Sequence, residues 1–94
     1  MQIEAEHLEA LAQFPKLRVL GAGGLRLRDA GVAAIAKCTG LEWLDIRGSQ
    51  LSDTGLQPLQ SLKQLKYLTL TYSTFNDADL EAFKKAVPDC QVLL

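Results

Sequence analysis

The residues whose side chains could bind a metal or act as nucleophiles are few in this sequence. Its two cysteines, Cys38 and Cys90, are far apart and form no Cys-x-x-Cys pair, and the chain has a single histidine, His7. A structural zinc site needs four such ligands, commonly in closely spaced pairs. We therefore expect no metal site and two reduced, structural thiols that cannot pair without unfolding the chain, because free cysteine packs as a small apolar residue.

A glycine-rich segment and two serines are the other candidates for chemistry. Gly21-Ala22-Gly23-Gly24 begins like the dinucleotide-binding pattern Gly-x-Gly-x-x-Gly, but Arg26 stands where the third glycine belongs. Ser49 and Ser73 have no partnering histidine at a matching position, and His7 is expected to be a solvated side chain. We therefore predict no catalytic residue and no cofactor, and the chain is not expected to be an enzyme.

Composition and charge narrow the class of partner. Ten basic and eleven acidic side chains give a formal net charge of −1, whereas a nucleic-acid binder would show a basic stripe. No segment of eighteen apolar residues exists and the N-terminus is acidic, so we expect neither membrane insertion nor a secretory signal. These features favour a protein partner, and a cytoplasmic location if Met1 is the native start.

The elements that would position any binding residues follow from a spacing of 24 residues. Leucine recurs at Leu17, Leu41 and Leu65, and in-register apolar or acidic residues accompany each of the three. The matching sets are Leu20, Leu44 and Leu68; Ala22, Ile46 and Leu70; Val32, Leu56 and Leu80; Ile35, Leu59 and Phe83; and Asp29, Asp53 and Asp77. Such regular self-similarity indicates stacked units that bury a shared core, with Phe14, Phe75 and Phe83 in core positions.

Each unit has a strand-like half and a helix-like half. Leu41 to Ile46 alternates around Leu44, as in a strand with one buried face. The second half carries apolar residues at near-helical spacing behind an aspartate that we expect to cap the helix, although Pro58 predicts a short or irregular third helix.

The pattern resembles a known family. Leu41-x-x-Leu44-x-Ile46-x-x-Ser49-x-Leu51 is similar to the leucine-rich-repeat signature, and Leu51-Ser52-Asp53-Thr54-Gly55-Leu56-x-x-Leu59 looks like its bacterial 24-residue subtype "L-x-D-x-G-L-x-x-L". The resemblance implies an α/β fold of the leucine-rich-repeat solenoid type, a right-handed β-α superhelix with a short parallel sheet on the concave face and short helices on the convex face. One domain, 1–94, would comprise a half-repeat (1–16), repeats 17–40, 41–64 and 65–88, and a final strand (89–94).

The open face of the expected sheet is the predicted binding surface. Alternate strand residues point away from the core, which aligns Trp43 with Tyr67 across neighbouring strands. The predicted partner-binding residues are Trp43, Asp45, Arg47, Tyr67, Thr69 and Tyr72. Since aromatic residues and arginine dominate many interfaces, we expect a non-catalytic protein–protein interaction module.

Two alternatives remain open at this point. Trp43 and Tyr67 could simply stabilise the sheet as cross-strand neighbours. The chain could also be a structural or self-assembling unit, or a subunit of a larger complex, that forms homo-oligomers through the C-terminal edge strand around Val92 and Leu94.

Overall fold

A four-stranded parallel sheet forms one layer of the protein in the computed structural model, which describes residues 8, 10, 11 and 13–94. The strands lie in chain order and are β1 (Val19–Gly21), β2 (Trp43–Asp45), β3 (Tyr67–Thr69) and β4 (Gln91–Leu93). The connections hold α1 (Asp29–Ile35), a 3₁₀ helix (Gln57–Ser61) and α2 (Asp77–Ala86), in that order. The described chain is thus a small α/β domain with four parallel strands and two α-helices.

The register of the sheet follows the 24-residue spacing. Trp43 pairs with Val19 on one side and with Tyr67 on the other, and Leu44 lies between Leu20 and Leu68 in the same way. Partners in adjacent strands therefore differ by 24 residues throughout, up to the pairing of Leu68 with Val92. The predicted register is confirmed.

The core lies between the sheet and the layer of helices. The inward-facing strand leucines and the apolar faces of the helices are almost fully buried, and Phe83 of α2 is completely so. The prediction that all three phenylalanines occupy core positions is wrong for Phe14, which is 46% exposed, whereas Phe75 is partly buried against the core. Phe14 precedes β1 in a turn beside Pro15, outside the layers that enclose the core.

The helices do not use the capping aspartates that the sequence predicts. Asn76 caps α2 by accepting bonds from the amides of Ala78 (2.8 Å) and Asp79 (3.4 Å), and Asp77 is the first helical residue. Arg28, the residue before α1, makes no capping bond through its side chain. Asp29 of α1 instead accepts a bond from the amide of Ser52 at 3.0 Å, so this carboxylate links one 24-residue segment to the next.

The connections between the strands differ, and the short or irregular helix predicted from Pro58 is confirmed. Only β1 and β3 are followed by α-helices, while the connection after β2 is a five-residue 3₁₀ helix with Pro58 in its first turn. Proline has no amide hydrogen and its ring crowds the preceding turn, which favours this short, tight geometry.

Serine hydroxyls tie together the turns that follow β2 and β3. Ser73 Oγ accepts from the amide of Ser49 at 3.1 Å and donates to the carbonyl of Ile46 at 3.2 Å, one segment earlier. Ser49 is buried and its own hydroxyl bonds the same carbonyl. Ser73 therefore bonds between neighbouring turns, whereas Leu25 at the corresponding position of the first turn has no hydroxyl group. These bonds fix the turns that border the candidate surface.

Candidate interaction surface

An aromatic pair stands on the exposed face of the sheet at the start of β2 and β3. Trp43 and Tyr67 are direct cross-strand partners, and their ring centroids are 5.0 Å apart with planes tilted by 56°. Tilted rings at this distance attract each other through their quadrupoles. Nevertheless Trp43 remains 53% exposed and Tyr67 37% exposed. The pair therefore offers a fixed apolar surface to solvent.

An ion pair lies two residues further along the same face. Arg47 Nε is 3.2 Å from Asp45 Oδ1, and the terminal Nη2 atom of the guanidinium is 3.1 Å from Asp45 Oδ2. The amide of Arg47 also donates to Asp45 Oδ1 at 3.1 Å. Two-point contact between guanidinium and carboxylate fixes the direction of both side chains. Gly23 lies beneath this pair, where a β-carbon would come within 3.2 Å of Arg47 Nε.

Two ion pairs that share Glu42 border the aromatic pair at the amino ends of the strands. Glu42 accepts from Arg18 Nε at 2.5 Å and lies 3.2 Å from Lys66 Nζ, so one carboxylate joins three neighbouring segments. The hydrogen bond from Arg18, followed by that from Lys66, lowers the pKa of Glu42 below its ordinary value of 4.5. Because the folded pKa is the lower one, this stabilisation is present above pH 4.5 and is lost as the pH falls through the folded pKa.

A shallow groove of about 520 Å³ follows the carboxyl ends of the strands. It is lined by Gly23, Gly24, Arg26, Arg47, Gly48 and Tyr72. Gly24, Gly48 and Tyr72 occupy the same place after β1, β2 and β3, and all three have positive φ angles, of 92°, 73° and 62°. The Tyr72 side chain is 91% exposed. We call this feature the turn groove.

The structure places the six residues predicted to bind a partner along one face. Trp43 contacts Tyr67, Asp45 pairs with Arg47 and is in register with Thr69, and Arg47 borders the turn groove together with Tyr72. Arg47 lies four positions after Trp43, in the turn beyond the end of β2, and is thus separated from the aromatic pair along the face.

The sequence prediction missed Arg26, which lines the turn groove. Arg26 has a left-handed backbone with φ of 53°, and the residues 24 and 48 positions later, Gln50 and Thr74, form an isolated bridge instead. No periodic partner marks Arg26 as a surface residue of this face, so the 24-residue spacing carries no signal for it.

The thiols of Cys38 and Cys90 pack as structural side chains. Cys38 is buried with Sγ 3.5 Å from the carbonyl of Leu11, and Cys90 is half-buried; both are free thiols. Burial raises the pKa of both thiols, that of Cys90 to about 11, so neither is activated at neutral pH. His7 lies outside the described residues. Among the residues that are described, no group of three or more metal-binding side chains occurs, and no helix is long and apolar enough to span a membrane.

Comparisons with known proteins give a structural match without a sequence match. No family model matches the chain, and no curated protein does. Among solved structures, the chain is similar to one of Chaetomium Mex67:Mtr2 subunits, with a TM-score of 0.74 and 18% sequence identity. The match covers 98% of this chain and 76% of that one. At this identity the likeness shows the fold alone.

These findings correct the class that the sequence resemblance implied. The similarity found is to the Mex67:Mtr2 subunits, and no family model of leucine-rich repeats matches, so neither the leucine-rich-repeat solenoid nor the description as a repeat protein is retained. The supported class is a small α/β domain with a four-stranded parallel sheet and two α-helices.

Proposed function

We propose that this chain is a non-catalytic module that binds a protein partner through the exposed face of its sheet. The observation that carries the proposal is the Trp43–Tyr67 pair, whose ring centroids are 5.0 Å apart and whose side chains are 53% and 37% exposed. Aromatic residues are enriched among the few side chains that provide most of the binding energy at protein interfaces. A rigid pair loses little side-chain entropy when a partner covers it.

Charge beside the aromatic pair supports the same proposal. Asp45 and Arg47 bond each other, which holds two opposite charges in fixed positions on the face. Fixed charges around an apolar centre orient a partner and disfavour wrong ones, because a misplaced like charge is repelled. The face thus combines an anchor with the means of selecting its ligand.

Stabilisation of the sheet is the competing role for the aromatic pair. A cross-strand aromatic pair contributes about 0.5–1.5 kcal/mol to stability through ring contact alone. That contribution needs the rings to touch but needs no partner. The two roles therefore differ in what happens when a binding protein is added.

Trp43 provides a direct test because it is the only tryptophan in the chain. The experiment captures a binding protein from the native source, purifies it, and titrates it into the domain labelled with 5-fluorotryptophan. We expect the fluorine resonance of Trp43 to shift or broaden in step with binding, since the partner covers a ring that is 53% exposed when free. Fluorine NMR reports only the labelled domain, even if the partner contains tryptophan.

The control is a domain with Lys37→Ala, an exposed position just after α1 and outside the sheet. This variant should bind with unchanged affinity and give the same fluorine shift. The proposal would be contradicted if a captured protein bound tightly while the Trp43 resonance stayed unchanged, and if Lys37→Ala abolished that binding.

A second candidate function is self-assembly through β4. This strand is last in the sheet, and Leu93 and Leu94 are exposed beside it. The amide of Gln91 bonds Lys66 and the carbonyl of Leu93 accepts from Leu70, so both residues are turned toward β3. Since backbone groups alternate along a strand, those of Val92 point to the outer edge. Such an edge can pair with another strand.

Val92→Pro is therefore expected to weaken any dimer formed through this edge, because proline removes the outward amide without removing a bond to β3. We expect light scattering to show concentration-dependent dimers of the parent and fewer of the variant. Gln91→Pro is the matched control, as it removes the bond to Lys66 and should destabilise β4 itself. A strictly monomeric parent at high concentration would count against self-assembly.

A further inference from the structure

The turn groove contains every positive-φ residue of the described chain. These are Gly24, Arg26, Gly48 and Tyr72, and all four line the groove. Left-handed backbone is unfavourable for a residue with a β-carbon, a cost that glycine avoids. The structure thus carries this cost at Arg26 and Tyr72, two of the three large side chains that line the groove.

The arginines give the groove an unused capacity to donate hydrogen bonds. A guanidinium has five N–H donors, and the contact with Asp45 occupies two of those of Arg47. Three remain, in a direction that Asp45 fixes. Arg26 is exposed and makes no ion pair within the described part of the chain.

Glycines leave the floor of the groove open between these arginines. A β-carbon added to Gly24 or Gly48 would meet no atom within 4 Å. A ligand can therefore approach the backbone of both turns closely, beside the exposed ring of Tyr72. The groove combines arginine donors, open backbone and one aromatic ring.

We propose that the turn groove binds a carboxylate side chain on an acidic segment of the protein partner. This inference rests on the proposed function and adds the chemistry of the ligand. The carboxylate accepts from the guanidinium of Arg26 and from the N–H groups of Arg47 that Asp45 leaves unoccupied, a pairing that matches the planar, two-point geometry of arginine. The apolar part of the segment packs on Tyr72.

A nucleic acid fits the same groove less well. Asp45 lies at its border and Glu42 at the far end of the same strands, so an extended phosphate backbone crossing the face meets two fixed negative charges. The net charge of −1 provides no long-range attraction for a polyanion. A single carboxylate needs only the groove.

The test uses a capped ten-residue peptide of alternating glutamate and glycine, titrated into the ¹⁵N-labelled domain. We expect chemical-shift changes at the amides of Gly24 and Gly48 and at the Nε–H groups of Arg26 and Arg47. Arg26→Gln should weaken binding roughly tenfold or more, since it removes a charge-assisted pair. Tyr72→Gly keeps the fold, because glycine stands at both equivalent turns, and should weaken binding several-fold.

The control variant is Arg18→Gln, an exposed arginine already paired with Glu42. It should leave peptide binding unchanged. The proposal fails if the peptide changes the chemical shifts of Arg18, Lys63 and Lys66 as strongly as those of the groove residues. It also fails if no chemical shift changes at millimolar peptide, or if ten-residue oligothymidylate binds the groove more tightly than the peptide does. Failure here with a persistent Trp43 response to the captured protein would leave the proposed function intact and remove only the carboxylate.

Discussion

Phe83→Ala is expected to destabilise the domain by about 3–5 kcal/mol, the usual cost of removing a buried phenylalanine. Phe83 is the largest of the fully buried side chains and lies in α2, which packs beside the 3₁₀ helix. A domain of this size has a total stability of roughly 5–14 kcal/mol, so the variant loses a large part of it. Urea unfolding followed by circular dichroism measures the loss as a shift of the midpoint.

Phe14→Ala supplies the matched control, since the same atoms are removed from a ring that is 46% exposed. We expect its cost to stay below about 1 kcal/mol, as for other surface changes. The 24-residue spacing assigns both rings to the core, and only the structure separates them. Equal losses for the two variants would mean that Phe14 packs as deeply as Phe83.

The strand register was predictable because it depends on a period that the sequence displays directly. Parallel partners such as Leu44 and Leu68 are 24 residues apart, and burying one face of each strand excludes a one-residue slip of this register. The same alternation predicts from the sequence alone that Trp43 lies beside Tyr67. Both predictions rest on many residues in step, so single exceptions do not disturb them.

The helix starts were less predictable because several polar residues stand near each one. Asn76 and Asp77 are adjacent, either can cap a helix, and the geometry of the chain entering α2 selected Asn76. Asp29 instead accepts a hydrogen bond from the amide of Ser52 in the next segment. Contacts between segments thus overrode the local preference of the aspartates.

The fold class predicted from the sequence is more specific than the structure and the comparisons support. Matching short motifs suggested a named family with a helix in every unit, whereas Pro58 lies in a 3₁₀ helix and the comparisons support only a small α/β domain. Short motifs report local strand and turn geometry well. They carry less information on the connections, whose form depends on packing against the neighbouring segments.

The candidate surface was predicted in its strand residues and in Arg47 and Tyr72 of its turns, but not in Arg26. Tyr72 could be placed beside Gly24 and Gly48 by spacing, but its left-handed backbone could not. Arg26 has no equivalent in the other segments, so only the structure shows that it lines the turn groove. Irregular residues of this kind escape any method that averages over repeated segments.

Trp43→Ala is expected to weaken binding of the captured partner by about 2 kcal/mol or more, roughly thirtyfold in the dissociation constant. The reason is that the indole presents the largest exposed apolar ring on the face and is held in place by Tyr67. Tyr67→Ala should have a similar effect, because it removes both a contact surface and the support of Trp43. Calorimetric titration of the purified partner measures both.

The double variant separates binding from sheet stability. If the rings act as one anchor, Trp43→Ala and Tyr67→Ala together should cost less than the sum of the single losses, since the first change already disrupts the pair. Unfolding experiments on the same variants should show a destabilisation of only about 0.5–1.5 kcal/mol. Binding losses far larger than this cannot come from stability, because the variants remain folded during the titration. Folded variants that bind as tightly as the parent would instead assign Trp43 and Tyr67 to the sheet alone and move the interface elsewhere.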